Sequence, residues 1–406
     1  MLQPYRDRFN ANFTPAAYAD LRSRLNQQTG TEIQFRVCET PCFFASDLLD
    51  RMVAAGRDLT LSLLDNPAYM EASNRAIPEL YCVPDESRRP HFMTVDFGFV
   101  HSENGDLDFK LVELQAFPSI FGFQTLLAPE YIRAYGLDPD LRWLLGGRDE
   151  TSYWNLLQEV IVCRHDPENV ILLEVTPDKQ KTLPDFRVYE RKLGIATVDI
   201  AEVQKRGNRL FYTKGGRELP IHRIFNRAIV DEIEREAITP GFDFRDDLDV
   251  EWAGHPNWYF RLSKFSLPYL DHPTVPKAVF LDEWIDGDGR QRLPANRSEI
   301  LLKPLFSFAG KGIQFAPTDA DLAAIPSGDR HLYLLQERVH FVPVIETPAG
   351  PTQAEVRIMY VWPDGDTAEL QPMISLVRLG RGLMMGVDHN REQSWVGGSA
   401  ALFPAK

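Results

Sequence analysis

The 406-residue chain has only four cysteines, Cys38, Cys42, Cys82 and Cys163, too few and too scattered to staple a disulfide scaffold. Cys38 and Cys42 stand at a spacing that metal sites use. No second cysteine or histidine pair completes such a site, so the residues read as buried free thiols. No run approaches the roughly 18 apolar residues of a membrane helix. The opening segment, MLQPYRDRFNANF, lacks the apolar core of a signal peptide. Positive charge is also short: the formal net charge is −14, with no basic patch to follow a phosphate backbone, which argues against a nucleic-acid partner. The Walker pattern G-x-x-x-x-G-K-[ST] is absent. What is present is 44% hydrophobic residues in a chain long enough for a large core and two or three domains, the profile of a cytoplasmic enzyme.

Periodicity and chain breakers divide the sequence. Amphipathic helices are predicted over 15–27, 44–65, 124–135 and 151–163. From about 165 to 250 the pattern alternates: a buried strand 170–176, a helix 178–193, short strands TVDI and FYT, a strand 221–227 and an acidic helix VDEIERE. That alternation implies an α/β fold with an open, mostly parallel sheet. The expected division is 1–164 for N-terminal helices and a hairpin, 165–255 for the parallel α/β domain, and 256–406 for the remainder. Within 256–406, residues 258–270 are expected to form one helix.

The segment 92–123 reads as a strand, a turn at Asn104-Gly105-Asp106, and a return strand. Strand alternation aims Glu113 and Gln115 to one face and Val112 and Leu114 into the packing, with Asp96 level with them on the partner strand. A carboxylate and an amide oxygen at i and i+2 are hard ligands of the type Mg²⁺ takes when phosphates complete its shell. A solvated amphipathic hairpin has the same pattern. Far downstream, residues 299–316 run from an apolar strand ending at Lys303 through Ser307-Phe308-Ala309-Gly310-Lys311-Gly312 into another apolar strand. Glycines let backbone amides close on an anion, and the lysines add charge that follows phosphates. A plain glycine hairpin with solvated lysines is the alternative.

Together these segments resemble the ATP-grasp ligases. KPLFSFAGKGI is similar to their lysine-plus-glycine loop, LYLLQERV (332–339) to the adenine-binding linker, and AEVRIMYVW (354–362) to the strand whose arginine meets phosphate. LVRLGRG (376–382) and EQSWVGGSAAL (392–402) are similar to the strands that close the site. The final Asp and Glu-x-Asn hairpin of that family is matched at the other end of the chain by TVDFGFV and LVELQAFPSIFGF, with Pro118 on the family's proline. The order is therefore circularly permuted, as in eukaryotic glutathione synthetase and the glutathionylspermidine synthase group. Gln115 replaces the usual asparagine, and Ser307 stands where the glutathione synthetase group has a metal-holding glutamate. In that respect the loop is closer to ligases that add glutamate to protein or peptide ends.

The resemblance implies Asp96, Glu113 and Gln115 as Mg²⁺ ligands. It implies Lys264, Lys303, Ser307, Gly310, Lys311, Gly312, Gln336, Glu337, Val339 and Glu346 around ATP, with Glu346 on the ribose. Lys303, Arg357 and Arg378 would act on the transferring phosphoryl group, and the segments 307–312 and 380–396 would be lids. The implied activity joins a carboxylate, activated as an acylphosphate, to an amine or thiol. A kinase-like phosphotransferase and an inactive nucleotide-binding module are the alternatives. In the parallel domain, Asn226, Arg227 and, further on, Arg381 are candidates for a carboxylate-bearing substrate, since guanidinium binds carboxylate in a two-pronged way. Arg227 in a surface ion pair, Asp178 as a helix cap and His165, His222, His255 and His389 as structural residues are the plainer readings.

Overall fold

A computed structural model describes residues 1–306, 312–382, 385 and 393–405. It is a mixed α/β structure built on three larger sheets. No helix among the described residues is long and apolar enough to cross a membrane.

Four helices fall close to where periodicity places them, at Pro15–Thr29, Ser46–Leu64, Phe121–Ala134 and Glu150–Ile161. Their ends follow local chemistry. Thr14 accepts a hydrogen bond from the Ala17 amide, and Gly30 ends that helix in the left-handed region. Asp149 and Ser152 cap each other at the start of Glu150–Ile161. Two predicted helices are shorter than expected. The one expected over 178–193 starts only at Leu183, with Pro184 in its first turn; Pro177–Lys179 is a separate 3₁₀ turn. Asp178 caps nothing there and instead lies 3.4 Å from Arg187. The segment 258–270 splits into Pro256–Arg261 and a 3₁₀ turn, Lys264–Tyr269, because Ser263 turns the chain and accepts from the Phe265 amide.

The central sheet is antiparallel, in the order Gly397–Ser399, Gln371–Gly380, Thr352–Val361, Phe92–His101, Leu107–Gln115, with Pro343–Ile345 also paired to Thr352–Val361. It joins strands from the two ends of the chain: Arg357 pairs with Asp96. One face is mainly apolar, with Val95, Phe97, Val356, Ile358 and Tyr360 packing under the Ser46–Leu64 helix. The opposite face is apolar at one end, where Phe92, Met359, Val361 and Ile374 meet the Glu150–Ile161 helix. It becomes charged further along the same rows, at Asp96, Glu355, Arg357 and Arg378.

A β-bulge controls this change. Asp96 pairs with Glu113 but Phe97 pairs with Leu111, so Val112 is the extra residue. Strict alternation would put Leu111 and Glu113 on one face; the bulge instead buries Leu111 in the core and leaves Glu113 opposite Asp96. Val112, expected in the packing, lies half-buried on the cleft side for the same reason.

The second sheet is all parallel, ordered Glu251–Ala253, Arg223–Asn226, Val170–Glu174, Ala196–Asp199. The third, ordered Ala278–Phe280, Tyr333–Glu337, Ile300–Pro304, Gln314–Phe315, is antiparallel and stands over the charged end of the central sheet.

Candidate functional site

The three sheets enclose a cleft of about 870 Å³. Its floor is the charged face of the central sheet and its roof the third sheet, which contributes Leu301, Lys303, Phe315 and Gln336. The carboxyl ends of the parallel strands form its far wall, where open α/β sheets place ligands.

The floor is an ion network. Arg357 donates two parallel hydrogen bonds to Asp96, at 2.6 and 2.7 Å, and Arg378 donates to both Asp96 and Glu355. Burial alone would raise the pKa of Asp96, but Arg357 and Arg378 outweigh it and hold the carboxyl below its usual range. Glu355 is pushed up to about 7 by burial; Arg378 opposes this and Asp96 adds to it. Glu113 stands 3.3 Å from Lys264, whose charge overcomes burial and lowers the Glu113 pKa. On the roof, burial pulls Lys303 down to about 8, with Lys264 contributing and Glu113 opposing.

Most of the expected site residues meet here. Glu113, Gln115, Lys264, Lys303, Gln336, Val339, Arg357, Arg378, Arg381 and Arg227 all line the one cleft. Others are placed differently. Asp96, expected as a metal ligand, is 1% exposed and both its oxygens are taken by arginines, so it organises the floor instead of facing it. The Glu337 side chain turns away and accepts from the Lys277 amide, while the Glu337 and Arg338 amides are bound to Lys277 and Glu299 carbonyls. Of the linker, Gln336, Arg338 and Val339 line the cleft. Glu346, expected on the ribose, is exposed, is not among the cleft-lining residues, and its carbonyl accepts from Asn10. Asn226 is buried behind the cleft. Arg227 is no surface residue: it donates to the Pro118 carbonyl and lies over the Phe117 and Phe186 rings, at 4.7 and 5.5 Å. Ser307, Gly310, Lys311 and His389 lie outside the described residues, as do most positions of the two expected lids. Gly312 is described; its φ of +73° and the 2.8 Å that would separate a Cβ from Pro304 Cγ both require glycine.

Three acidic cleft residues were not anticipated: Glu355, Glu174 and Glu232. Glu355 had a signal, since it stands two residues before Arg357 on one strand and must share its face. Glu174 and Glu232 had none, because a carboxylate ending a buried strand and one on a short acidic helix look like solvated ends.

The donor set suits a metal ion only of one kind. Among the described residues no group of three or more His, Cys, Asp or Glu side chains could hold a metal. A Mg²⁺ bridging nucleotide phosphates needs only one or two protein carboxylates. Glu113 and Gln115, side by side on the cleft wall, meet that need. The roof also fits a purine. Gln336 is 1% exposed, and its Oε1 is buried without a hydrogen-bond partner, an acceptor awaiting a donor such as an exocyclic amine. Leu301, Ile313, Phe315, Val339 and Phe341 supply apolar surface around it.

Neither a family model nor a curated protein matches the chain. Among solved structures, a glutathione synthetase like-effector from Globodera pallida, in the apo form, superimposes with a TM-score of 0.62 over 96% of each chain, at 11% identity. The chain has a glutathione synthetase-like fold. At that identity the likeness concerns the fold alone, so the roles of the cleft residues rest on the geometry above.

Proposed function

We propose that the protein is an ATP- and Mg²⁺-dependent ligase of the circularly permuted ATP-grasp type, joining a carboxylate to an amine or thiol. One observation carries the proposal: two half-sites far apart in sequence, around 113–115 and 303–381, line a single cleft with complementary charge. Each half lacks what the other supplies. The 303–381 half offers a buried lysine, an orphaned amide acceptor and two arginines; the 113–115 half offers hard oxygen donors.

The chemistry follows from charge. A carboxylate is a poor electrophile, and transfer of the γ-phosphoryl group makes it an acylphosphate that a nucleophile can displace. Negative charge moves between leaving oxygen, phosphoryl group and carboxylate, so the protein's work is positioning and neutralisation. Lys303 and Lys264 would hold phosphate oxygens. Arg357 and Arg378, held by Asp96, would face the phosphoryl group with their remaining N–H groups. Glu113 and Gln115 would hold the magnesium that offsets triphosphate charge. Gln336 and the Val339 backbone would read adenine, favouring ATP over GTP.

A second reading, a nucleotide-binding module without turnover, is favoured by the commitment of Asp96 to arginines and by Gln115 in place of asparagine. ADP release with a panel of carboxylates and amines separates the readings. A ligase releases phosphate only when both substrates are present, a kinase-like enzyme keeps the phosphoryl group on its product, and a non-catalytic module releases no ADP.

A further inference from the structure

The far end of the cleft is built differently from the phosphate end. Glu174 closes the Val170–Glu174 strand, lines the cleft and is 3% exposed. One of its oxygens accepts from the Val175 amide at 2.9 Å; the other makes no hydrogen bond to a described residue. Arg227, a cation whose charge acts on Glu174, makes no hydrogen bond to that carboxylate. It is turned to the Pro118 carbonyl, sits among aromatic rings and also faces Asp185. Glu232, across the same end, accepts from Gln180 at 2.9 Å and lies 3.4 Å from the half-exposed Arg235. Ser119 and Thr182 complete a polar rim. A buried carboxylate without a hydrogen-bonded countercharge is costly, and a cationic ligand removes that cost.

We propose that this end, built on Glu174 and Glu232, is the acceptor subsite, that it takes the nucleophile as a protonated amine, and that Glu174 accepts a proton from it. The proposal rests on the ligase reading and narrows its nucleophile from amine or thiol to amine, since the same carboxylates repel a thiolate. Of the three ammonium protons, one passes to Glu174, one stays on the new amide nitrogen and one leaves with the phosphate. The nitrogen lone pair forms the C–N bond as the C–O bond to phosphate breaks and its electrons leave with phosphate. Burial pushes Glu174 up to about 8, with Arg227 opposing and Glu232 and Asp199 adding; a bound ammonium favours the ionised form, and the carboxylate so formed is a stronger base than an ordinary glutamate.

The test uses the full chain. 1,4-Diaminobutane and its uncharged counterpart 1,4-butanediol are titrated by calorimetry, with and without MgATP. The diamine is expected to bind at least about tenfold more tightly than the diol, and Glu174→Gln to remove that advantage while leaving the MgATP-induced rise in melting temperature unchanged. Glu232→Gln, at a more exposed position, is expected to weaken the diamine several-fold and guards against a Glu174 variant that fails to fold. In turnover, Glu174→Gln should lose amide formation yet keep hydroxamate formation with hydroxylamine, which is uncharged at neutral pH and needs no base. Equal binding of diol and diamine, no diamine binding, or an unchanged diamine affinity in Glu174→Gln would overturn the proposal. So would loss of hydroxamate formation in the variant, which would place Glu174 in the activation step. Diamine binding without any MgATP effect would sink the ligase reading and leave the cation subsite standing.

Discussion

Replacing Asp96 by Asn distinguishes a scaffold carboxylate from a metal ligand. Asp96 is buried beneath two guanidinium groups, taking two hydrogen bonds from Arg357 and a further one from Arg378. The amide keeps the volume but removes the charge that both arginines face, leaving Glu355 as the remaining hydrogen-bonded carboxylate of Arg378. Breaking a buried ion network by neutralising one member costs about 3–5 kcal/mol, and with the Asp96 side chain only 2% exposed, solvent screening takes little of that away. At about 2 cal/mol/K of unfolding entropy per residue, a chain of 406 residues loses about 4–6 °C in melting temperature if it unfolds as one unit. The loss should shrink on acidification. The folded-state pKa of Asp96 is depressed, so its contribution is complete above the unfolded carboxyl value and disappears as pH falls through the folded one. Calorimetric melting of both proteins from neutral to acid pH measures this. A variant with wild-type stability that had lost only its Mg²⁺-dependent nucleotide binding would refute the scaffold role and return Asp96 to the metal.

Other outcomes follow from the same geometry. Glu113→Gln should abolish turnover at a smaller cost in stability than Asp96→Asn, because the side chain is 22% exposed at the cleft wall and the change leaves no cavity, though it removes the charge facing Lys264; melting temperature alongside ADP release checks both halves. Nucleotide affinity should fall as pH rises above about 8, because Lys303 in the free protein loses its proton there. Bound triphosphate raises that pKa, so binding in this range takes up protons, seen as a dependence of calorimetric heat on buffer ionisation enthalpy. Gly98→Ala should weaken nucleotide binding, since its Cβ would sit 2.0 Å from the Phe341 ring on the cleft side and must displace it; the strain should also cost about 1–3 kcal/mol in urea unfolding. Mg²⁺ alone should bind weakly and bind well only with ATP, since fewer than three acidic or histidine ligands converge among the described residues; titration with and without nucleotide tests it.

Much of the site was legible because strand alternation and glycine-lysine chemistry are local. Glu113 and Gln115 share the cleft wall as the spacing requires, and Lys303 lines the cleft one residue before the end of its strand, which runs on to Pro304. What was illegible depends on pairing. The bulge at Val112 exists only in the register of two strands, and the commitment of Asp96 to Arg357 and Arg378 needs a third strand from the other end of the chain. Glu346 was assigned by its position after the linker, but the Pro343–Ile345 strand joins the central sheet and carries Glu346 towards Asn10. The burial of Arg227 arises from packing between the parallel domain and the Pro118 segment, a long-range contact with no local signature.

The central claim, activation of a carboxylate by phosphoryl transfer in this cleft, is tested most directly by following oxygen. A carboxylate substrate that supports ADP release is labelled with ¹⁸O in its carboxyl group and turned over with MgATP and the amine. The account predicts one labelled oxygen in each inorganic phosphate released and no labelled phosphate from Glu113→Gln, which should not turn over. Phosphate free of label, or a phosphoryl group retained on the product, would contradict it.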